Sequence, residues 1–198
     1  MKRVFTVVLL VLIYCSNMHG IDMNPLHEPG NKLTHFLGIN LMQDRLDEVV
    51  AKLGKSPVMA KGDGAEYVGK ACYLIDNSNT VIEFSEWELG SGCAIRKRTA
   101  NDVNRCAPLK SKLSNRNIEI NGLKLGISKE DVLRILGKPK TKTSNKWVYD
   151  FEGEATAINK REIARFGNNG KYYWQFLIKI AFENSVVSEL ELSPNVQQ

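Results

Sequence analysis

The segment Lys171–Glu183 alternates apolar and polar side chains more regularly than any other stretch of this chain. Trp174, Phe176, Ile178, Ile180 and Phe182 fall on one side. Tyr173, Gln175, Lys179 and Ala181 fall on the other, with Leu177 among them. A period of two sends successive side chains to opposite faces of a strand, so this segment is a strand whose apolar face another layer must cover. Gly167-Asn168-Asn169-Gly170 supplies the turn before it, and Asn184 begins the turn after it.

Other strands accompany it. Trp147–Phe151, Arg161–Phe166 and Ser185–Leu192 are expected beside the long strand. Further upstream, Ala71–Ile75 and Thr80–Trp87 flank Asp76-Asn77-Ser78-Asn79, a turn-forming run that predicts a hairpin. A weaker strand is expected near Cys93–Arg98, followed by a polar stretch, Thr99–Arg116, with room for a helical turn.

Two amphipathic helices can provide the covering layer. In Asp44–Leu53, Leu46, Val49, Val50 and Leu53 share one face; Asp44 is placed to cap the start, Gly54 to end it, and Pro57 forbids continuation. In the second helix Ser128 with Asp131 makes a capping-box-like start, Val132, Leu133, Ile135 and Leu136 form the apolar face, and Gly137 and Pro139 close it. The two helix ends superpose. Leu53-Gly54-Lys55-Ser56-Pro57 lies over Leu136-Gly137-Lys138-Pro139 with one extra residue, and Gly38-Ile39-Asn40-Leu41 lies over Gly122-Leu123-Lys124-Leu125. The expectation is an α+β fold of two tandem units, residues 33–108 and 109–198, each an amphipathic helix packed on an antiparallel sheet. One helix on a few strands buries little core alone, so the units are expected to pack together.

The N-terminal region reads as a leader. Lys2 and Arg3 precede the uncharged run Val4–Tyr14, which has the length of a signal-peptide core and is too short to span a bilayer of roughly 30 Å. A signal peptide over residues 1–20 is expected, with cleavage after Ser16 or Gly20, then a Pro- and Gly-containing tether over 21–32. Tyr14 before Cys15 departs from a lipobox and argues against a lipid anchor there. No transmembrane segment is expected after cleavage. Loss of Lys2 and Arg3 leaves a net charge of about +3, too small to imply nucleic acid. The expected location is periplasmic or secreted, an oxidising environment that permits disulfides. Cys93 and Cys106 enclose twelve residues and are the favoured pair, leaving Cys72 buried in a strand; Cys72–Cys93 competes.

Leu123-Lys-Leu-Gly-Ile-Ser-Lys-Glu-Asp-Val-Leu-Arg-Ile-Leu-Gly-Lys-Pro-Lys140, followed by Trp147-Val-Tyr-Asp-Phe151, resembles the SmpA/OmlA (BamE-like) domain, and Gly38–Pro57 matches it more loosely. A tandem version resembles the fold of β-lactamase inhibitor proteins. The resemblance implies export, no catalysis, and recognition of proteins or lipids. Its residues are structural: Gly126 turns, Ser128 caps, Gly137 stops the helix and Pro139 guards the stop. The absence of a good lipobox and the presence of two copies separate this chain from the outer-membrane assembly lipoproteins.

Chemistry-bearing patterns are sparse. G-x-S-x-G, H-E-x-x-H and P-loop motifs are absent. His27, Glu28 and His35 match no rigid metal-ligand spacing, no cysteine forms a CxxC, and Glu83 with Glu86 reads as outward strand carboxylates. No catalytic residue, metal or cofactor is therefore expected. Two binding surfaces are. One is the polar side of the long strand, Tyr173, Gln175 and Lys179, facing a protein partner. The other is the basic run Arg96, Lys97, Arg98, Arg105, Lys110 and Lys112, opposed only by Asp102 and suited to anionic lipid, lipopolysaccharide or an acidic protein, or else a solvated linker. The expected function is non-enzymatic binding of a protein partner. A lipid-binding envelope factor and an enzyme of unrecognised type are the alternatives.

Overall fold

The computed structural model describes residues 32–57, 59–61, 68–75, 78–87, 90–109 and 118–197. The expected signal peptide, Cys15, most of the tether with His27 and Glu28, and Lys110 and Lys112 lie outside these residues.

The chain begins with a small hairpin, β1 (His35–Phe36) and β2 (Ile39–Asn40), turned at Leu37 and Gly38 with φ of 53° and 80°. Helix α1 (Leu46–Leu53) follows. It starts two residues later than expected because Asp44 is engaged elsewhere: its Oδ2 accepts from the Asn40 N–H and from Lys52 Nζ, while Glu48 closes the helix start by accepting from the Arg45 N–H at 2.8 Å. β3 (Met59–Lys61), β4 (Val68–Leu74), β5 (Thr80–Glu86) and β6 (Ser91–Lys97) form an antiparallel meander. A 3-10 turn (Ala100–Asn104) leads to β7 (Ala107–Pro108), which lies parallel to β4.

A second hairpin-like turn at Asn121 and Gly122, φ 50° and 83°, pairs Ile120 with Leu123 and precedes α2 (Lys129–Leu136). Ser128 Oγ caps this helix as expected, accepting from the Asp131 N–H at 3.1 Å. Then come β8 (Thr141–Lys142), β9 (Lys146–Thr156), α3 (Lys160–Phe166), β10 (Lys171–Glu183) and β11 (Val186–Gln197). The expected strand at Arg161–Phe166 is thus a helix. Asn159 Oδ1 accepts from the N–H groups of Arg161 and Glu162, and Glu162 Oε2 accepts from those of Ile158 and Asn159, a reciprocal cap that outweighs strand propensity over so short a segment.

The expectation of two helix-on-sheet units needs its sheet corrected. One sheet runs β3-β4-β5-β6-β11-β10-β9-β8, with β7 beside β4, and the two halves are joined by antiparallel pairing of β6 with β11. Register carries the faces straight across this junction. Ala71, Phe84, Cys93, Leu192, Ile178 and Tyr149 are lateral neighbours on one face; Cys72, Glu83, Ala94, Glu191, Lys179 and Val148 are lateral neighbours on the other. The first face is buried with Leu46, Val49 and Leu53 of α1 and Val132 and Leu136 of α2 in a single core. Leu133, expected in the apolar face of α2, is exposed. The long strand behaves as its alternation requires, with Tyr172, Trp174, Phe176, Ile178, Ile180 and Phe182 all buried.

Each helix stops at a glycine: Gly54, Gly137 and Gly167 have φ of 108°, 75° and 86° with ψ near 180° or −150°, a region only glycine occupies readily. A Cβ at Gly137 would touch nothing within 4 Å, so the restriction is conformational and not steric crowding. Gly137→Ala is therefore expected to lower stability by about 1–3 kcal/mol in urea unfolding. An alanine variant as stable as the wild type would contradict this backbone geometry.

Candidate protein-binding face

All three helices contribute to the buried side of the sheet, so the opposite face is left without a helical layer. At one end it is covered. Cys72 on β4 and Val81 on β5 lie beneath the segment that carries the 3-10 turn, and Cys106 reaches back to form a disulfide with Cys72. The expected Cys93–Cys106 pair is corrected by this arrangement. Cys93 is adjacent in sequence to Ala94 and points to the helix side, where it is 2% exposed, whereas Cys72 and Cys106 meet on the other face. Burial pushes the Cys93 thiol well above the ordinary cysteine range. Asp102 lies close to both disulfide sulfurs, but its oxygens are held by Arg96 in a two-pronged pair, both contacts 2.7 Å, so this grouping has no donor set arranged for a metal.

The rest of the face is open and tied together by hydrogen bonds. Lys179 Nζ donates to Glu191 Oε1 at 2.7 Å, and Ser193 Oγ donates to the same oxygen at 3.3 Å. Gln175 Nε2 donates to Asp150 Oδ1 at 2.9 Å while Gln175 Oε1 accepts from Asn195 at 3.4 Å; Lys140 also pairs with Asp150. The carboxylate of Glu152, hydrogen-bonded to the Tyr173 phenol, pushes that group up to about 12. Two large aromatics stand exposed, Trp87 at 40% and Tyr173 at 36%. The indole of Trp87 donates to Ser85 Oγ and lies over Gly92, where a Cβ would come within 2.5 Å of its Nε1. Because adjacent strands run in opposite directions, the end of β5, the start of β6, the end of β11 and the start of β10 all lie at one end of the sheet. Trp87 and Tyr173 are therefore on the same end of the open face, with Ser193 and Asn195 of β11 between their strands and Gln175 two residues along from Tyr173 on β10.

Of the residues singled out in the sequence, Tyr173, Gln175 and Lys179 do share this face. The basic run does not form one patch. Arg96 is on the open side but is engaged by Asp102 beneath the 3-10 turn; Lys97 points the other way and pairs with Glu183 at 3.2 Å; Arg98 is half-buried, its N–H bonded to Asn79 O. Glu83 and Glu86 are also separated: Glu83 pairs with Lys70 on the open face, Glu86 with Arg45 at the start of α1. His35 lies beside Thr34, 3.2 Å from its hydroxyl. Trp87 is one of several strand aromatics that could serve recognition, and pairing order, which periodicity does not reveal, is what brings it to this face with Ser193 and Asp150.

No protein-family model, no curated protein and no solved structure matches this chain. The chemistry must be read from the molecule. A cleft of about 350 Å³ lies between the start of α1 and the start of α3 and is lined by Asp44, Glu48, Asn159, Arg161 and Glu162. Its charges are turned on one another: Arg161 pairs with Glu48 at 3.1 Å and donates to Gln43 O, and Asp44 holds Lys52. It fastens α3 of the second half to α1 of the first and places no nucleophile beside a base. Among the described residues no helix is long and apolar enough to cross a membrane.

Proposed function

We propose that this protein is an exported, non-enzymatic binding module that docks a protein partner on the open face of its sheet. The observation that carries the reading is the pair of exposed aromatics, Trp87 and Tyr173, at one end of a face whose other side chains are already ordered by hydrogen bonds. Rigid amphipathic rings contribute much contact area at little entropic cost, and a pre-ordered polar surround lowers the cost of association further. The Cys72–Cys106 disulfide supports an oxidising compartment. A lipid-binding role draws less support, because Arg96 and Lys97 are engaged by carboxylates on opposite sides of the sheet.

The halves read as two copies of one unit. Each has a tight hairpin, a helix stopped by glycine, and a strand tyrosine that donates to that glycine's carbonyl: Tyr73 to Gly54 at 2.8 Å and Tyr149 to Gly137 at 3.1 Å. This supports the SmpA/OmlA-like, tandem inhibitor-protein-like reading, which bears on fold and not on a particular partner.

Affinity capture from the envelope and secreted fractions tests the function. Wild-type protein is expected to recover a specific partner that Trp87→Ala and Tyr173→Ala each lose by at least about tenfold, since truncating an aromatic hot spot costs about 2 kcal/mol or more and such hot spots are enriched in Trp and Tyr. Glu130→Ala, on the exposed side of α2, should leave recovery unchanged. Equal recovery by all variants would remove the open face as the docking surface.

A further inference from the structure

Sheets usually protect their edges with short strands or covering loops. One edge of this sheet follows that rule. β3 pairs with the start of β4 and β7 with its end. The other edge is different. β8 pairs with β9 only at Trp147 and Val148, and among the described residues no strand pairs with the outer edge of Asp150–Thr156. The backbone there is oriented outward at alternate positions. Thr143 N–H donates to Lys146 O, and Lys140 N–H to Val148 O, so the even-numbered residues of β9 turn their peptide groups away from β10. Register with β10 continues unbroken to Thr156, which puts the N–H and C=O of Asp150, Glu152, Glu154 and Thr156 on the free edge.

The side chains along this edge select what can pair with it. Asp150, Glu152 and Glu154 project to the open face, and half-buried Phe151 and Gly153 lie on the helix side. Asp150 is neutralised by Lys140, whereas Glu154 makes no ion pair among the described residues. A second copy of this chain would place these carboxylates opposite one another, Glu152 against Glu154 when the two Asp150–Thr156 edges are centred, and directly opposed like charges destabilise a strand pair.

We propose that the free edge of β9 is a strand-addition site for an extended segment of another protein carrying lysine or arginine at alternate positions and apolar residues between them. Main-chain hydrogen bonds to Asp150, Glu152, Glu154 and Thr156 supply binding, the cations meet Glu152 and Glu154, and the apolar residues cover Phe151. This site goes beyond the docking face and stands or falls separately from it.

The probe is a labelled peptide of alternating lysine and valine, as long as the Asp150–Thr156 edge. It is expected to bind the wild-type protein, to slow amide exchange at Glu152 and Glu154, and to weaken at least about tenfold when its alternate amides are N-methylated, since the backbone hydrogen bonds to the edge are lost. Glu152→Lys with Glu154→Lys should reverse the preference toward a glutamate–valine peptide. Glu154→Pro should abolish binding while leaving the fold intact by circular dichroism, because the N–H it removes points off the sheet; if that variant unfolds, the double lysine variant carries the test. Failure of the lysine–valine peptide to bind, N-methylation without effect, or edge-to-edge dimers of this chain in sedimentation would each overturn the proposal.

Discussion

Reducing the Cys72–Cys106 bond, or replacing Cys106 by serine, is expected to lower the unfolding free energy by about 4 kcal/mol. The bond closes a loop spanning 34 residues, and the chain-entropy estimate for a loop of that length is of this size. The loop contains β5, β6 and the 3-10 turn, so the cross-link limits how far the first half of the sheet can separate in the unfolded chain. Urea midpoints with and without reductant measure the loss. Thiol titration checks the pairing. In a chain lacking residues 1–20, the native protein should show no reactive thiol, because Cys93 is buried, and the oxidised unfolded protein should show one. A Cys72→Ser variant that still forms an intramolecular disulfide would mean Cys93 is the partner of Cys106 after all.

That pairing shows where the sequence was legible and where it stopped. Alternation in Lys171–Glu183 identifies the strand and its buried face, and the Gly-terminated helices appear close to where periodicity and capping place them, because these signals are local. The disulfide depends on which face of which strand each cysteine occupies once β4, β5 and β6 are in register, and no local spacing encodes that. The union of both halves into one sheet likewise rests on four residue pairs between β6 and β11, separated by almost a hundred positions in the chain. The α3 helix was legible in principle: Asn159 and Glu162 spell a capping box, but the four apolar and charged residues after it, Ile163–Phe166, also suit a strand. The open face was half legible. Tyr173, Gln175 and Lys179 follow from periodicity, whereas Trp87 joins them only through the strand order.

Asp102→Asn is expected to cost about 2–3 kcal/mol, far more than loss of a surface ion pair. Asp102 is 3% exposed and its carboxylate accepts from both Arg96 nitrogens, from the Thr99 N–H and from the Thr99 hydroxyl, all at 2.7 Å. Removing its charge leaves the guanidinium without its counter-ion; breaking a fully buried pair costs about 3–5 kcal/mol, and the 27% exposure of the Arg96 side chain puts this case below that range. By contrast Glu183→Gln, which breaks the exposed pair with Lys97, should change stability by less than about 0.5 kcal/mol. The pH dependence has a definite sign. Hydrogen bonding to Arg96 holds the Asp102 carboxyl far below the usual carboxylate range, so its contribution is complete above the unfolded value of about 3.9 and is lost as pH falls below it toward the folded value. Wild-type stability should therefore decline more steeply than that of Asp102→Asn below about pH 4. Because the Cys106 N–H also bonds to Asp102 O, the ion pair and the disulfide hold the same turn, and the Asp102→Asn, Cys106→Ser double variant should lose less than the sum of the two single losses. Strict additivity would mean that the two anchors act on independent parts of the fold, and that the turn over the sheet does not open as one piece.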